Sequence, residues 1–266
     1  MKRIVIKAYF FLIAGLVLSA CDKFEVDDHA VPVTGGANVK FYHTSQTAPM
    51  LNFYLNEQQV TAGASPTAAG LLRGLAYNTT GLNTAYPTLG YAVVAPGDYT
   101  LHVIVPEGSG TTTPAPNAEI TSAAQNVKLE DKANYSIFAV NTLENLETLV
   151  VKDELPAVSP AQTHIRFVNT MVGAPANFDV ELVQTDVTPN VTTRLASDMA
   201  FKGYTSFASL PAGSYTYRLY LTGSTTVYYT GTTTLVDGKV YTFLTRGNYA
   251  ATLASSTPAI SITANR

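Results

Sequence analysis

Two stretches of this 266-residue chain, "NVKFYHTSQTAP" at Asn38–Pro49 and "HIRFVNTMVGAP" at His164–Pro175, align without a gap. Each begins with an apolar, a basic and an aromatic residue in succession, and each ends in Ala-Pro. Three further pairs of similar blocks follow in the same order: Leu51–Glu57 with Phe178–Gln184, Tyr91–Val105 with Tyr204–Leu221, and Asn126–Val140 with Thr232–Arg246. Because four blocks recur in one order, the sequence predicts two copies of one module.

The repeated blocks have the pattern of β-strands. Apolar and polar residues alternate in "VKFYH", "YTLHVIV" and "YTYRLYL", where β-branched and aromatic residues dominate. Pro-Gly, Asp-Gly and Gly-Ser pairs separate the blocks as turns. The sequence therefore predicts an all-β chain of two tandem antiparallel β-sandwiches, of Ig-like or transthyretin-like type.

The predicted organisation divides the chain into five parts. These are a signal peptide (1–20), a lipidated cysteine with an acidic tether (21–36), a first sandwich (37–152), a linker (153–163) and a second sandwich (164–266). The linker contains Pro156 and Pro160, which favour a stiff and extended chain. A sandwich of about 100 residues buries enough apolar surface to fold without a disulfide.

Four tyrosines are predicted to have a structural role. Each follows a turn and opens a strand: Tyr99, Tyr135, Tyr215 and Tyr241. A tyrosine at such a place packs its ring in the core and bonds its hydroxyl to nearby backbone, as in the tyrosine corner of Greek-key sandwiches.

The N-terminus has the layout of a secretory signal, with a basic start before an apolar run from Ala8 to Ala20. This run is shorter than the roughly 20 apolar residues that span a bilayer. The sequence Leu18-Ser19-Ala20-Cys21 resembles the lipobox of bacterial lipoproteins. The resemblance implies cleavage before Cys21, the chain's only cysteine. It also implies acylation by fatty acids such as palmitate, which would anchor the protein to a membrane.

The segment after Cys21 is acidic, with Asp22, Glu25, Asp27 and Asp28 close together. It is either a plain soluble tether or, by resemblance, the surface-export signal of Bacteroidetes lipoproteins. The predicted location is the cell envelope, as an outer-membrane lipoprotein that is exposed at the cell surface if the export signal is real. Removal of residues 1–20 leaves 13 Lys and Arg against 19 Asp and Glu. This balance disfavours nucleic acid as a partner, since nucleic-acid binding requires a basic patch.

The repeated motifs resemble the bacterial domain-of-unknown-function family 4397. "VKFYHTSQTAP" and "IRFVNTMVGAP" are similar to the strand with which its members open. "APGDYTL" and "LPAGSYTY" are similar to its P-A-G-x-Y hairpin turn. The resemblance covers nearly all of Asn38–Ile262 and implies secreted or lipid-anchored domains, often in tandem. It implies no activity.

No catalytic or metal-binding constellation is evident in the sequence. The four histidines, His29, His43, His102 and His164, lack the i, i+2 or i+4 spacing of metal ligands. There is no G-x-S-x-G nucleophile motif, and adjacent carboxylates on a strand point to opposite faces. The prediction is a protein that is not an enzyme and that needs no metal or cofactor.

The long loop Gln58–Leu89, with Tyr77 and Tyr86, is the candidate binding loop, because loops of this length are usually functional or disordered. The predicted function is presentation of the sandwiches for adhesion or for binding a glycan or protein ligand. The chain has 16 Tyr and no Trp, so tyrosine would have to supply the flat rings on which sugars stack. Two alternatives stay open: a structural accessory subunit of an outer-membrane or periplasmic complex, and a hydrolase built from scattered carboxylates.

Overall fold

The computed structural model describes residues 35–61, 67–71, 73–77, 85–250 and 258–266. The predicted signal peptide, Cys21, His29 and the tether up to residue 34 lie outside these residues. The described residues contain β-strands and three short 3₁₀ turns but no α-helix, which confirms the all-β prediction. None of their helical turns is long and apolar enough to cross a membrane.

Nine strands form two sheets in the first half of the described chain. They are β1 (Ala37–His43), β2 (Asn52–Leu55), β3 (Gln58–Gln59), β4 (Ala85–Tyr86), β5 (Ala92–Val94), β6 (Gly97–Ile104), β7 (Gln125–Leu129), β8 (Asn134–Val140) and β9 (Glu147–Asp153). One sheet has the order β4-β1-β8-β9, with β5 also paired to β1, and the other has the order β3-β2-β6-β7.

Eight strands form two further sheets in the second half. They are β10 (Gln162–Asn169), β11 (Phe178–Gln184), β12 (Val191–Met199), β13 (Ala208–Pro211), β14 (Gly213–Leu221), β15 (Val227–Leu235), β16 (Val240–Arg246) and β17 (Ala259–Ala264). Their orders are β13-β10-β16-β17 and β12-β11-β14-β15. These orders match those of the first half, with β10 at the place of β1 and β16 at the place of β8.

Two strand pairings differ from the predicted antiparallel arrangement. Strands β1 and β8 run parallel, with Val39 opposite Tyr135, and β10 and β16 run parallel, with Ile165 opposite Tyr241. Parallel neighbours need a long crossover connection. In both halves the chain forms strands of the opposite sheet between these two parallel strands. The second parallel strand therefore starts at the same end of the sheet as the first.

Three apolar clusters hold the four sheets together as four layers. The first cluster lies between the two sheets of the first half and includes Phe41 and Phe53. The second lies between the two sheets of the second half and includes Phe167 and Phe178. The third, which we call the junction, joins the β1/β8 sheet to the β10/β16 sheet. The junction contains Tyr42, Phe138, Val140, Val151, Val168 and Leu244, with Ala85 beside them. Strand β1 is consequently buried on both faces.

The four predicted turn tyrosines all use their hydroxyls on nearby backbone. Tyr99 and Tyr215 donate to the carbonyls of Ala95 and Pro211, at 2.7 and 2.8 Å. The hydroxyls of Tyr135 and Tyr241 accept from the amides of Glu130 and Val236, both at 3.1 Å. The first pair reaches four residues back and the second pair five, so equivalent turns of the two halves use the same bond.

Candidate functional site: a groove along the junction

A groove of about 490 Å³ runs beside the junction of the two halves. One wall comes from the end of β9 and the segment after it, and the other from the segment between β12 and β13. The lining residues are Lys152, Glu154 and Pro156 on the first wall, Tyr204, Thr205, Ser206 and Phe207 on the second, and Arg166 beneath them. We call this cleft the junction groove.

The second wall presents two aromatic side chains. Tyr204 is 49 % exposed and is the most exposed tyrosine of the described residues. Phe207 is half-buried, and its ring centroid lies 4.9 Å from the guanidinium carbon of Arg166. Burial of an aromatic ring is strongly favourable, so a half-exposed tyrosine beside a groove needs an explanation other than packing.

The aromatic segment is held in place by the edge of β10. The amide of Thr205 donates to the carbonyl of Phe167 at 2.9 Å, and the amide of Phe167 donates to Oγ1 of Thr205 at 3.0 Å. Tyr204 also forms a bridge with Val168. The two rings are therefore positioned before any ligand binds, which lowers the entropic cost of binding.

A buried ion pair lies at the floor of the groove. Nη1 of Arg166 donates to Oδ1 of Asp153 at 2.5 Å, and the two side chains are 2 % and 0 % exposed. The other carboxylate oxygen of Asp153 accepts from the hydroxyls of Tyr91 and Ser136, both at 2.7 Å. Arg166 also donates to Ser136 and, through Nε, to Thr242. Each of the three guanidinium nitrogens of Arg166 thus donates to a group within the protein, so Arg166 supports the floor of the groove.

Lys40, at the position in β1 that Arg166 occupies in β10, is also fully buried at this junction. Its ammonium donates to the carbonyls of Ala264 and Thr88, at 2.8 and 3.2 Å. Burial lowers the pKa of Lys40 to about 8, against the opposing attraction of Asp153. The charged ammonium is therefore held by carbonyl dipoles where the equivalent arginine has a carboxylate.

The tyrosines of the predicted binding loop lie away from the junction groove. Tyr86 forms part of β4, opposite Phe41, and its ring packs against the core of the first half. The ring of Tyr77 lies beside Arg246, with 4.9 Å from its centroid to the guanidinium carbon. Much of the loop lies outside the described residues, and its role in binding stays a prediction.

The histidines lie apart from one another. His43 is buried and donates through Nε2 to the carbonyl of Pro49 at 2.7 Å, while His102 lies 2.6 Å from the carboxylate of Glu119. Within the described ranges no three His, Cys, Asp or Glu side chains come together as a metal site.

Sequence reasoning did not identify Tyr204, Phe207 or Lys152 as neighbours. The stretch "YTSF" at Tyr204–Phe207 falls within a repeated block that predicts strand, although its two aromatic residues are three apart and break the alternation. That break in the alternation is the local signal that sets this aromatic pair apart from the strands. The opposite wall is distant in sequence and could not have been paired with it.

Comparison with known proteins gives one family match. The sequence model of the family described as "Domain of unknown function (DUF4397)" matches residues 37–181, more than half of the chain. No curated protein matches.

Solved structures show only a slight likeness. A carbohydrate-binding module of family CBM26 from Eubacterium rectale Amy13K, solved with maltoheptaose, is 8 % identical to this chain, with a TM-score of 0.25. The match covers 84 % of this chain and 96 % of that module. A candidate cell adhesion protein of Bacteroides fragilis is 9 % identical with a TM-score of 0.24, and the match covers 87 % of this chain and 98 % of that protein. The Bacillus anthracis TIE protein is 9 % identical with a TM-score of 0.24, covering 80 % of this chain. The match spans about a third of that protein (34 %). Likeness at this level assigns no function.

Proposed function

The chain belongs to the DUF4397 family, and we propose that it is a non-catalytic binding or adhesion protein of the bacterial cell envelope. Its lipobox-like sequence and acidic tether support attachment to the membrane through lipid on Cys21. The described residues begin at Gly35, near the end of that tether. A short polar tether would hold the sheets close to the membrane but outside it.

The two halves are proposed to be tandem copies of one Ig-like β-sandwich module. The repeated strand orders support this proposal, as do the equivalent parallel pairings of β1 with β8 and of β10 with β16. The hydroxyl bonds of Tyr99 and Tyr215 also recur at equivalent turns.

The junction groove is proposed as the ligand-binding site. The observation that carries this proposal is the pair of aromatic rings, Tyr204 and Phe207, fixed on one wall and opposed by Lys152 and Glu154 on the other. Ligand sites combine apolar surface with a few placed polar groups in this way. Flat rings suit the apolar face of a sugar. The Lys152 ammonium already donates to Glu130 at 2.5 Å, and its other two N–H groups, with the Glu154 carboxylate, can bond to sugar hydroxyls, so a glycan is the favoured ligand.

Replacement of Tyr204 or Phe207 with alanine is expected to weaken ligand binding about tenfold, equivalent to about 1.4 kcal/mol. The reason is the loss of a positioned ring face at the centre of the groove. The measurement is binding of the purified protein to a panel of immobilised envelope and host glycans, followed by titration of any glycan that is retained.

Val236→Ala is the control, because Val236 is 51 % exposed and lies neither in the groove nor in the candidate binding loop Gln58–Leu89. It should bind like the wild type. Equal binding by the wild type, Tyr204→Ala and Phe207→Ala would refute the groove as the site. Absence of any glycan ligand, together with co-purification of envelope proteins, would favour the structural accessory subunit instead.

Cys21→Ser is expected to release the protein from the membrane fraction, because a serine hydroxyl does not accept the lipid that a cysteine thiol carries. The measurement is membrane fractionation, combined with protease treatment of intact cells that express the wild type. Digestion on intact cells would support surface exposure, whereas protection until the outer membrane is broken would place the sandwiches in the periplasm. Retention of Cys21→Ser in the membrane fraction would contradict the lipid anchor.

A further inference from the structure

Strand β15 (Val227–Leu235) forms one edge of the outer sheet of the second half, and it lacks the usual protection of an edge strand. Among the described strands it pairs with β14 alone. Its sequence, "VYYTGTTTL", contains no charged residue and no proline. An edge strand presents unpaired amide and carbonyl groups, which proteins normally protect with charges, proline, bulges or short length. At nine residues, β15 is as long as any described strand.

The other edge strands of the described chain are protected or occupied. Strands β7, β9 and β12 contain charged residues, β13 ends in Pro211, and β3, β4 and β5 have only two or three residues each. Strand β17 is also uncharged, but it holds the first half through the carbonyl of Ala264 and the hydroxyl of Thr263. The long, uncharged edge of β15 therefore stands apart.

The section Tyr229–Leu235 of β15 is regular and open along its outward edge. Its register against β14 runs without a shift, and the register shift of the strand lies before Tyr229. Apart from the pairing with β14, no backbone hydrogen bond among the described residues reaches this section. Residues 251–257, which the structure does not describe, follow soon after Tyr249, whose ring stacks on Tyr228 outside the section.

A second copy of this section complements the first. Thr232 is its middle residue, so antiparallel pairing of two copies places Thr232 opposite its own counterpart and Thr230 opposite Thr234. These three threonines are exposed and share the outer face of the sheet. The inner face then pairs Tyr229 with Leu235, which both pack on the core of the second half. Opposed threonines stabilise a sheet, and an uncharged strand brings no like charges together.

We propose that β15 is a self-pairing edge, through which two copies of this chain join their four-stranded outer sheets edge to edge. The pairing gives hydrogen-bond partners to amide and carbonyl groups that otherwise face water. Because the two-fold axis of such a pair is perpendicular to the sheet, both first halves lie on the same side of it. The arrangement is thus compatible with two chains that start from one membrane.

Cysteine cross-linking tests the pairing. Since Cys21 is the only cysteine of the chain, the full chain with Cys21→Ser carries no thiol, and single cysteines can be placed in it. Thr232→Cys is expected to form disulfide-linked dimers on mild oxidation, because directly opposed Cα atoms lie about 4.5–5.5 Å apart, within disulfide reach. Thr192→Cys is the matched control and should stay monomeric, since Thr192 is an exposed threonine on the opposite edge of the same sheet.

The opposition of Thr230 to Thr234 gives a second result that only this register predicts. Thr230→Cys and Thr234→Cys, each with Cys21→Ser, should cross-link with each other in a mixture but not with themselves. The reason is that each residue lies roughly 13 Å along the strand from its own counterpart. Cross-linking of all these variants alike, or of none, would overturn the proposal.

Self-association of the wild type is expected to be weak, because one strand pair is small beside the roughly 1,600 Å² of a standard interface. Sedimentation equilibrium over a concentration series measures it. Thr232→Lys is expected to weaken the association about tenfold, since two ammonium groups then lie opposite each other at the edge. Thr192→Lys, on the opposite edge, should associate like the wild type. A wild type that stays monomeric throughout the series, or equal association of Thr232→Lys, would refute β15 as the self-pairing edge.

Discussion

Replacement of Asp153 with alanine is expected to lower the free energy of unfolding by about 3–5 kcal/mol. The change leaves the Arg166 charge buried at 2 % exposure without its carboxylate, and it also removes the acceptor for the hydroxyls of Tyr91 and Ser136. Urea unfolding of the full chain, followed by tyrosine fluorescence, measures the loss.

The double variant Asp153→Leu/Arg166→Met is the informative control. Removal of both charges together avoids the unpaired ion, so this variant is expected to recover much of the lost stability, as buried pairs often do when replaced by apolar residues. Additive losses from the two single changes, or a cost below about 1 kcal/mol for Asp153→Ala, would mean that the pair is solvated in solution.

The stability of the wild type is expected to rise with pH, relative to Lys40→Met, by about 2 kcal/mol between about pH 7.5 and pH 10. Burial lowers the folded-state pKa of Lys40 to about 8 from its ordinary value of 10.5. Between these two values the unfolded chain holds the proton and the folded chain has released it. The unfolded state then binds more protons, so the free energy of unfolding increases as the pH rises.

Urea unfolding of the wild type and of Lys40→Met across this pH range measures the difference between their free energies of unfolding directly. Tyr42, whose pKa burial raises to about 12, opposes the trend above about pH 10. It is present in both proteins, so its effect cancels in the difference. Lys128→Met, which changes an exposed lysine of β7, should follow the wild type. Parallel pH profiles for wild type and Lys40→Met would show that the Lys40 ammonium is solvated.

Local patterns in the sequence predict much of the fold. Alternation in "VKFYH" and "YTYRLYL" places Phe41 and Tyr215 in the cores, because a period of two sends successive side chains to opposite faces. The two-residue strand β4 is too short to show any period. Its pairing opposite Phe41 depends on tertiary contact, and the sequence alone therefore predicts a loop at Ala85–Tyr86.

The junction could not be predicted in the same way. Lys40 and Arg166 were visible as basic residues inside apolar strands, but nothing local shows that Arg166 meets Asp153 and that Lys40 meets carbonyls of Thr88 and Ala264. A basic residue in a strand is usually explained by one solvated face. Here both faces are covered, because a second sheet packs where solvent was expected.

The two halves contact each other through equivalent residues, as the two subunits of a symmetric dimer do. Lys40 and Arg166 occupy equivalent register positions, as do Tyr42 and Val168, and all four face the junction. Each half thus presents the same face to the other. Such an isologous contact closes on itself and leaves no copy of that face for a third module. If the two halves are the proposed copies of one module, an array of that module would have to grow in pairs, joined through a different surface.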